Sequence, residues 1–232
     1  MESERLKVIA IIPARGNSKS IKNKNLIKIK NRSLIEIINI EAKKSKIFDN
    51  IICSTDSKKI LNFCKKKKIN VILRPKKLST DSSNVMSAVL HCLDFEEKKN
   101  KKYDLIFLLQ PTSVMIKSKH ISDLFKRISV DRKIKSAQTI HSTPHNYHYL
   151  NTRIIKNGKV FFKYKKERLI NYNKQKKEKT YHFGNIVATK VKELKKTKNF
   201  FVEPSGFVLI NKMQSFDLDN KDDLNILRKI IN

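Results

Sequence analysis

Short apolar runs that each stop at a proline or polar loop constrain this chain more than any other feature. Val8–Ile12 ends at Pro13, and Leu105–Leu109 ends at Gln110-Pro111. A five-residue run without polar alternation suits a strand covered on both faces, as in the middle of a parallel sheet. Ile51–Ser54 and Val71–Leu73 read as two further strands. Between them lie segments with helical periodicity. Ser33 caps a helix reaching about Ser45, with Leu34, Ile37, Ile38 and Ala42 on one face and Glu36 completing a capping box. Ser57 to about Lys68 is a second helix, with Ile60, Leu61 and Cys64 inward. Ser82 to about Glu97 is a third, with Val85, Val89, Cys92 and Leu93 inward. This alternation predicts an α/β fold with a mostly parallel sheet, helices on both faces and right-handed crossovers.

Ligands of such sheets bind at the carboxyl ends of the strands. Arg15, Asp56, Arg74 and Gln110 each follow one of the four strands. The loop after the first strand carries Arg15, Lys19, Lys22 and Lys24 together with Gly16. Backbone N–H groups and cations at a strand tip suit a polyphosphate. The plain alternative is a lysine-rich surface turn. Late in the chain, Asp217 and Asp219 flank Leu218. Period-two alternation puts both carboxylates on one side, a pair of hard oxygen donors of the kind that holds Mg²⁺. The alternative is that Asp217, or Asn220, starts the last helix at about Lys221–Ile231.

The 232 residues suffice for one α/β domain with a full core. The formal net charge is +31, which raises nucleic acid or an anionic membrane as a partner. Lysine is enriched evenly along the chain rather than on one segment, and the Lys65–Lys68 run sits at a helix end, so neither partner is expected. No stretch approaches the roughly 20 apolar residues of a membrane span. The N-terminus lacks the apolar core of a signal peptide, so a cytoplasmic location is expected. Cys53, Cys64 and Cys92 show no metal spacing and read as reduced core residues.

The motifs stand in an order that resembles the acylneuraminate (CMP-sialic acid, CMP-nonulosonic acid) cytidylyltransferase family. They are Ile11-Ile-Pro-Ala-Arg-Gly-Asn-Ser-Lys-Ser-Ile-Lys-Asn-Lys-Asn25, Phe48-Asp49-x-Ile-Ile-x-Ser-Thr-Asp56, Leu73-Arg74-Pro75, Leu78-Ser79-x-Asp81-Ser82, Leu109-Gln110-Pro111-Thr112-Ser113 and Asp217-Leu218-Asp219. The resemblance implies one Rossmann-like nucleotidyltransferase domain that couples CTP to an acidic nine-carbon sugar. It implies catalytic roles for Arg15 and Lys24, and nucleotide binding by Ala14, Arg15, Asn25, Arg74, Ser82 and Gln110. It further implies sugar binding by Lys174 and Gln175, and Mg²⁺ on Asp217 and Asp219. It also implies a homodimer whose partner contact is the polar, aromatic segment at about 141–185. Outside that frame Lys24 reads as a solvated lysine and Arg74 as an ion-pair partner.

Four departures bear on the acceptor. Ser20 stands where the family usually has Gly, and Val114-Met115-Ile116 replaces Pro-Leu-Arg, losing a cation. Asn173-x-Gln175 replaces Arg-x-Gln, leaving Lys174 or Lys176 to face the sugar's carboxylate. Phe183-Gly184-Asn185-Ile186 replaces Asn-Gly-Ala-Ile. The nucleotide half is kept and the sugar half has drifted, so legionaminic, pseudaminic or another nonulosonic acid is as open as sialic acid. The rival readings are an inactive homologue serving as a binding or scaffold protein, and a cytidylyltransferase for the eight-carbon sugar KDO.

Overall fold

The apolar run at the start of the chain becomes the middle of a seven-stranded sheet. A computed structural model describes residues 5–18, 20–78, 84–171, 173, 175 and 177–231. The strands are β1 (Val8–Pro13), β2 (Lys28–Ile29), β3 (Arg32–Ser33), β4 (Asn50–Thr55), β5 (Val71–Leu73), β6 (Leu105–Leu109), β7 (Ser136–Ser142), β8 (Arg153–Lys156), β9 (Lys159–Phe162), β10 (Tyr181–Lys190) and β11 (Ser205–Leu209). The helices are α1 (Leu34–Ser45), α2 (Lys58–Lys66), α3 (Val85–Glu97), α4 (Ser118–Val130), α5 (Lys165–Ile170), α6 (Val191–Thr197) and α7 (Lys221–Ile231).

The main sheet runs β11-β7-β10-β6-β1-β4-β5. β1 pairs in parallel with both β4 and β6, and β10 alone runs antiparallel to its neighbours. Val8, Ala10 and Ile12 pack on one face with Ile38 and Ala42 of α1 and Ile121, Leu124 and Ile128 of α4. Ile9 and Ile11 pack on the other with Val89 and Leu93 of α3 and Leu194 of α6. Both faces of β1 are therefore dry, which is why its sequence shows no alternation. Each such isoleucine contributes about 1.5–3 kcal/mol by burial.

The chain fills the sheet outward through β1, β4 and β5, then returns to β6 on the other side of β1. Crossovers leaving in opposite directions open a crevice at the carboxyl ends of β1 and β6. The capping box of α1 forms as expected: Ser33 Oγ accepts from Glu36 N at 3.2 Å, and Glu36 Oε2 from Ser33 N at 2.8 Å. This cap contributes about 1 kcal/mol. α2 follows Ser57, with Leu61 only partly buried.

Two boundaries differ from expectation. α3 starts at Val85, because Asn84 Oδ1 accepts from Met86 N at 3.0 Å and supplies the cap. Val85 is then half-exposed at the helix mouth rather than in the core, and Ser82 lies outside the described residues. The excursion expected over 141–185 is shorter, because Tyr181 pairs with Ser142, and His182 with His141, in the main sheet. Residues 143–180 leave the sheet and carry the β8–β9 hairpin and α5. The three cysteines are buried and unbridged. Among the described residues no helix is long and apolar enough to cross a membrane.

Candidate active site

The loop after β1 is shaped by its neighbours before it meets any ligand. Ala14 N donates to Ser54 O at 2.8 Å, continuing the sheet by one residue. Ala14 is fully buried, so the cleft wall is formed by its neighbours Pro13 and Arg15 rather than by Ala14 itself. Gly16 N donates to Asp56 Oδ1 at 2.9 Å. A Cβ at position 16 would stand 2.7 Å from Ser57 Cβ, so only glycine lets the loop lie this close to the start of α2. Asn25 is buried and donates to Arg15 O at 3.0 Å. Asp56 and Asn25 thus shape the loop that presents Arg15.

Arg15, Lys24, Asn25, Arg74, Gln110 and Asp219 line one cleft of about 420 Å³ at the crevice between β1 and β6. Ser18, Ser20, Asn84 and Thr112 line it too, although the sequence reading assigns none of them a role there. Thr112 sits inside the Gln-Pro-Thr-Ser motif, which is the signal that points to it. Arg74 is buried, and its Nη1 donates to Ser54 O at 3.1 Å and to Ser54 Oγ at 3.3 Å. These bonds hold the guanidinium against the tip of β4. Burial lowers its pKa and nearby Asp56 opposes the shift.

Lys24 is not a solvated lysine. Its side chain is 15% exposed. Nζ donates to Leu218 O at 2.9 Å and stands 3.4 Å from Asp219 Oδ1. The cation of the first loop thereby meets the acidic segment near the far end of the chain. Leu218 is fully buried among Ile21, Leu34, Val114, Leu224 and Leu227, and its N donates to Thr112 O at 3.2 Å. Asp217 and Asp219 flank this anchor. Burial pushes the Asp217 carboxyl up, against the Thr112 hydroxyl bond that lowers it; Asp219 adds to the rise and Lys24 opposes it. Asp217 Oδ1 is buried with no hydrogen-bond partner.

Neither aspartate side chain caps α7. That task falls to Asn220, whose Oδ1 accepts from Asp223 N at 3.0 Å while Asp223 Oδ2 accepts from Asn220 N at 2.9 Å. Among the described residues no group of three or more His, Cys, Asp or Glu gathers as a metal site. Two carboxylates, one with an orphaned buried oxygen, fit a hard divalent cation that takes its remaining oxygens from substrate and water.

A family model described as Cytidylyltransferase matches residues 9–204. The chain belongs to that family. An N-acylneuraminate cytidylyltransferase from Escherichia coli is 28% identical over 232 residues, covering 96% of this chain and 51% of that protein. The chain therefore spans about half the length of that relative. A CMP-N,N'-diacetyllegionaminic acid synthase from Legionella pneumophila is 27% identical over 236 residues, covering 97% of both chains. Among solved structures, a CMP:2-keto-3-deoxy-manno-octonic acid synthetase complexed with CTP shares the fold. It has a TM-score of 0.72 at 13% identity, covering 97% of this chain and 98% of that one.

The departures from the family pattern have structural counterparts. Ser20 Oγ donates to Asp219 O, so the residue in place of glycine ties the first loop to the acidic segment. Val114 and Ile116 are buried in the core, so where an arginine was expected the chain places a hydrophobic filler. Gln175 does not meet the cleft within one chain. It lines a separate cavity of about 510 Å³ in the excursion, with His148 and Lys177. Ser82 and Lys174 lie outside the described residues.

Proposed function

We propose that this chain is a cytidylyltransferase that couples CTP to an acidic nonulosonic sugar, giving the CMP-sugar and pyrophosphate. The observation that carries the reading is the convergence of Arg15, Lys24, Arg74, Gln110 and Asp219 on one cleft at the sheet's switch point. Relatives named for sialic and legionaminic acids support the acceptor class. Arg15 grips phosphate oxygens with its planar fork, and Lys24 adds a point charge. Arg74, Gln110 and the backbone at 14–15 read the cytosine, with Ser82 as a further contact. The acceptor hydroxyl attacks the α-phosphorus, the new P–O bond forms as the bond to the bridging oxygen breaks, and pyrophosphate leaves. The loop's cations and backbone hold the triphosphate in line for that attack, where orientation supplies much of the rate. Mg²⁺ held by Asp217 and Asp219 would spread the negative charge on the phosphates.

The test is pyrophosphate release from purified protein with CTP and a panel of nonulosonic acids. Release with CTP and at least one of these acids, and none with UTP or with KDO, is expected. Folded protein that releases pyrophosphate with no acid on the panel would overturn the reading in favour of an inactive homologue.

The same proposal includes a homodimer in the cytoplasm. On the excursion Ile155, 78% exposed, pairs across the hairpin with exposed Val160, and Leu169 and Ile170 are exposed on α5. Exposed apolar side chains in this number on one excursion support a surface that another chain covers. A second copy seated there brings Lys174 and Gln175 toward the partner's cleft as sugar ligands. Light scattering is expected to give twice the chain mass for the wild type and the chain mass for Ile170→Asp. A monomeric wild type at micromolar concentration would exclude the dimer.

A further inference from the structure

Asn185 sits in β10 where the pairing register with β7 shifts between Phe183 and Val187. Its φ is 80°, in the left-handed region that asparagine enters at little cost. The bulge is seated firmly. A Cβ on Gly184 would meet Ile210 Cδ1 at 2.7 Å, and Ile186 N donates to Thr139 Oγ1 at 3.1 Å. A bulge re-aims a side chain that regular pairing would send elsewhere. Here it aims a carboxamide at the segment that carries the two aspartates. Asn185 Nδ2 donates to Ser215 O at 2.7 Å and to Phe216 O at 3.3 Å. Phe216 immediately precedes Asp217.

On the downstream side, the same segment is held by Leu218 N on Thr112 O, Lys24 Nζ on Leu218 O and Ser20 Oγ on Asp219 O. Upstream, the turn at 211–216 makes bonds within itself, among them Asn211 with Gln214. Ile210 N donates to Ile140 O at 2.8 Å where this turn leaves β11, and among the described residues the hydrogen bonds from the sheet onto 211–216 come from Asn185. From this geometry we infer that Asn185 is a positioning residue, whose two amide hydrogens fix the placement of the Asp217–Asp219 pair. The inference rests on the reading of that pair as the cation-holding group. Asparagine suits the task because it combines a tolerated positive φ with two donors on one nitrogen. An aspartate of the same shape would turn a carboxylate toward two carbonyl oxygens.

Two variants isolate the amide. Asn185→Gly keeps the backbone conformation and deletes the donors, while Asn185→Asp keeps the shape and reverses the polarity. Hydrogen exchange of ligand-free protein is expected to rise by about tenfold over 213–219 in both variants, the effect of losing roughly one net hydrogen bond, while β1 and β6 exchange as in the wild type. Mn²⁺ binding to the CTP-loaded protein, read by electron paramagnetic resonance, is expected to weaken about tenfold, with metal-free CTP affinity nearly unchanged. Unchanged exchange at 213–219 together with unchanged Mn²⁺ affinity would overturn the inference, as would faster exchange spread evenly over the whole sheet. A wild type that binds CTP but no Mn²⁺, with exchange at 213–219 still raised in the variants, would fault the cation assignment and leave the positioning role of Asn185 standing.

Discussion

Asp217→Asn is expected to make the ligand-free protein more stable at neutral pH and to cost it about 10²- to 10³-fold in turnover, the scale of removing one preorganised charge at a reacting centre. The two effects share one cause. Burial raises the Asp217 carboxyl in the folded protein, and Oδ1 has no donor to compensate it. Between its ordinary value and the raised one, the folded chain binds more protons at this group than the unfolded chain. Stability is therefore full at acid pH and lost as pH rises through the raised value. Asparagine carries no charge, so that loss disappears. Differential scanning calorimetry from pH 4 to 8 is expected to show the variant melting higher at the neutral end, by about 2–4 °C for each kcal/mol relieved, and converging with the wild type at the acid end. Asp219→Ala makes the contrast. Its side chain is 73% exposed, so turnover is expected to be abolished with little change in melting. Near wild-type turnover in both variants would show that the carboxylates hold no cation.

Lys24→Met is expected to lower kcat/KM for CTP by about 10²- to 10³-fold, again the scale of a lost charge-stabilising contact. A solvated lysine predicts a change of about twofold, the usual outcome at an exposed position. Lys28, exposed on β2, supplies that baseline through Lys28→Met. The large effect follows from position. Lys24 Nζ reaches both the acidic segment and the cleft wall, so it offsets the carboxylates when the cleft is empty and faces phosphate when it is filled. Its removal also takes away the charge that opposes the rise at Asp217. A full CTP titration separates these outcomes in one experiment.

The first half of this fold is legible because its central strands β1 and β6 are buried on both faces and its helices carry caps. Val71–Leu73 and Leu105–Leu109 need only apolarity to be recognised, and Ser33 with Glu36 marks the start of α1. The second half hides its sheet. β7 carries Ser136 and Thr139 at fully buried positions, and their bonds go to Val202 O and Ile186 N, far away in the chain. Local pattern cannot show that these hydroxyls are satisfied. β10 is broken by its own bulge, which resets the alternation at Asn185. α4 has the right apolar spacing in Ile121, Leu124 and Ile128 but follows Lys117, whose side chain makes no cap bond. The same logic explains the site. Arg15, Arg74 and Gln110 can be found at strand tips, whereas Ser20 and Thr112 acquire their roles only from a segment some hundred or more residues further along.

Lys24 and Leu218 are 194 residues apart in the chain, and Ser20 and Asp219 are 199 apart. These contacts across the cleft therefore join segments nearly two hundred residues apart. A product that has completed β11 but not residues 216–219 already carries Ser20 and Lys24, with neither Leu218 nor Asp219 to meet them. Closing so long a loop costs entropy that only the late apolar residues around Leu218 return. A copy that stops before Phe216 would therefore leave Lys24 without its contact to Leu218 and Asp219, and Ser20 without the carbonyl it binds.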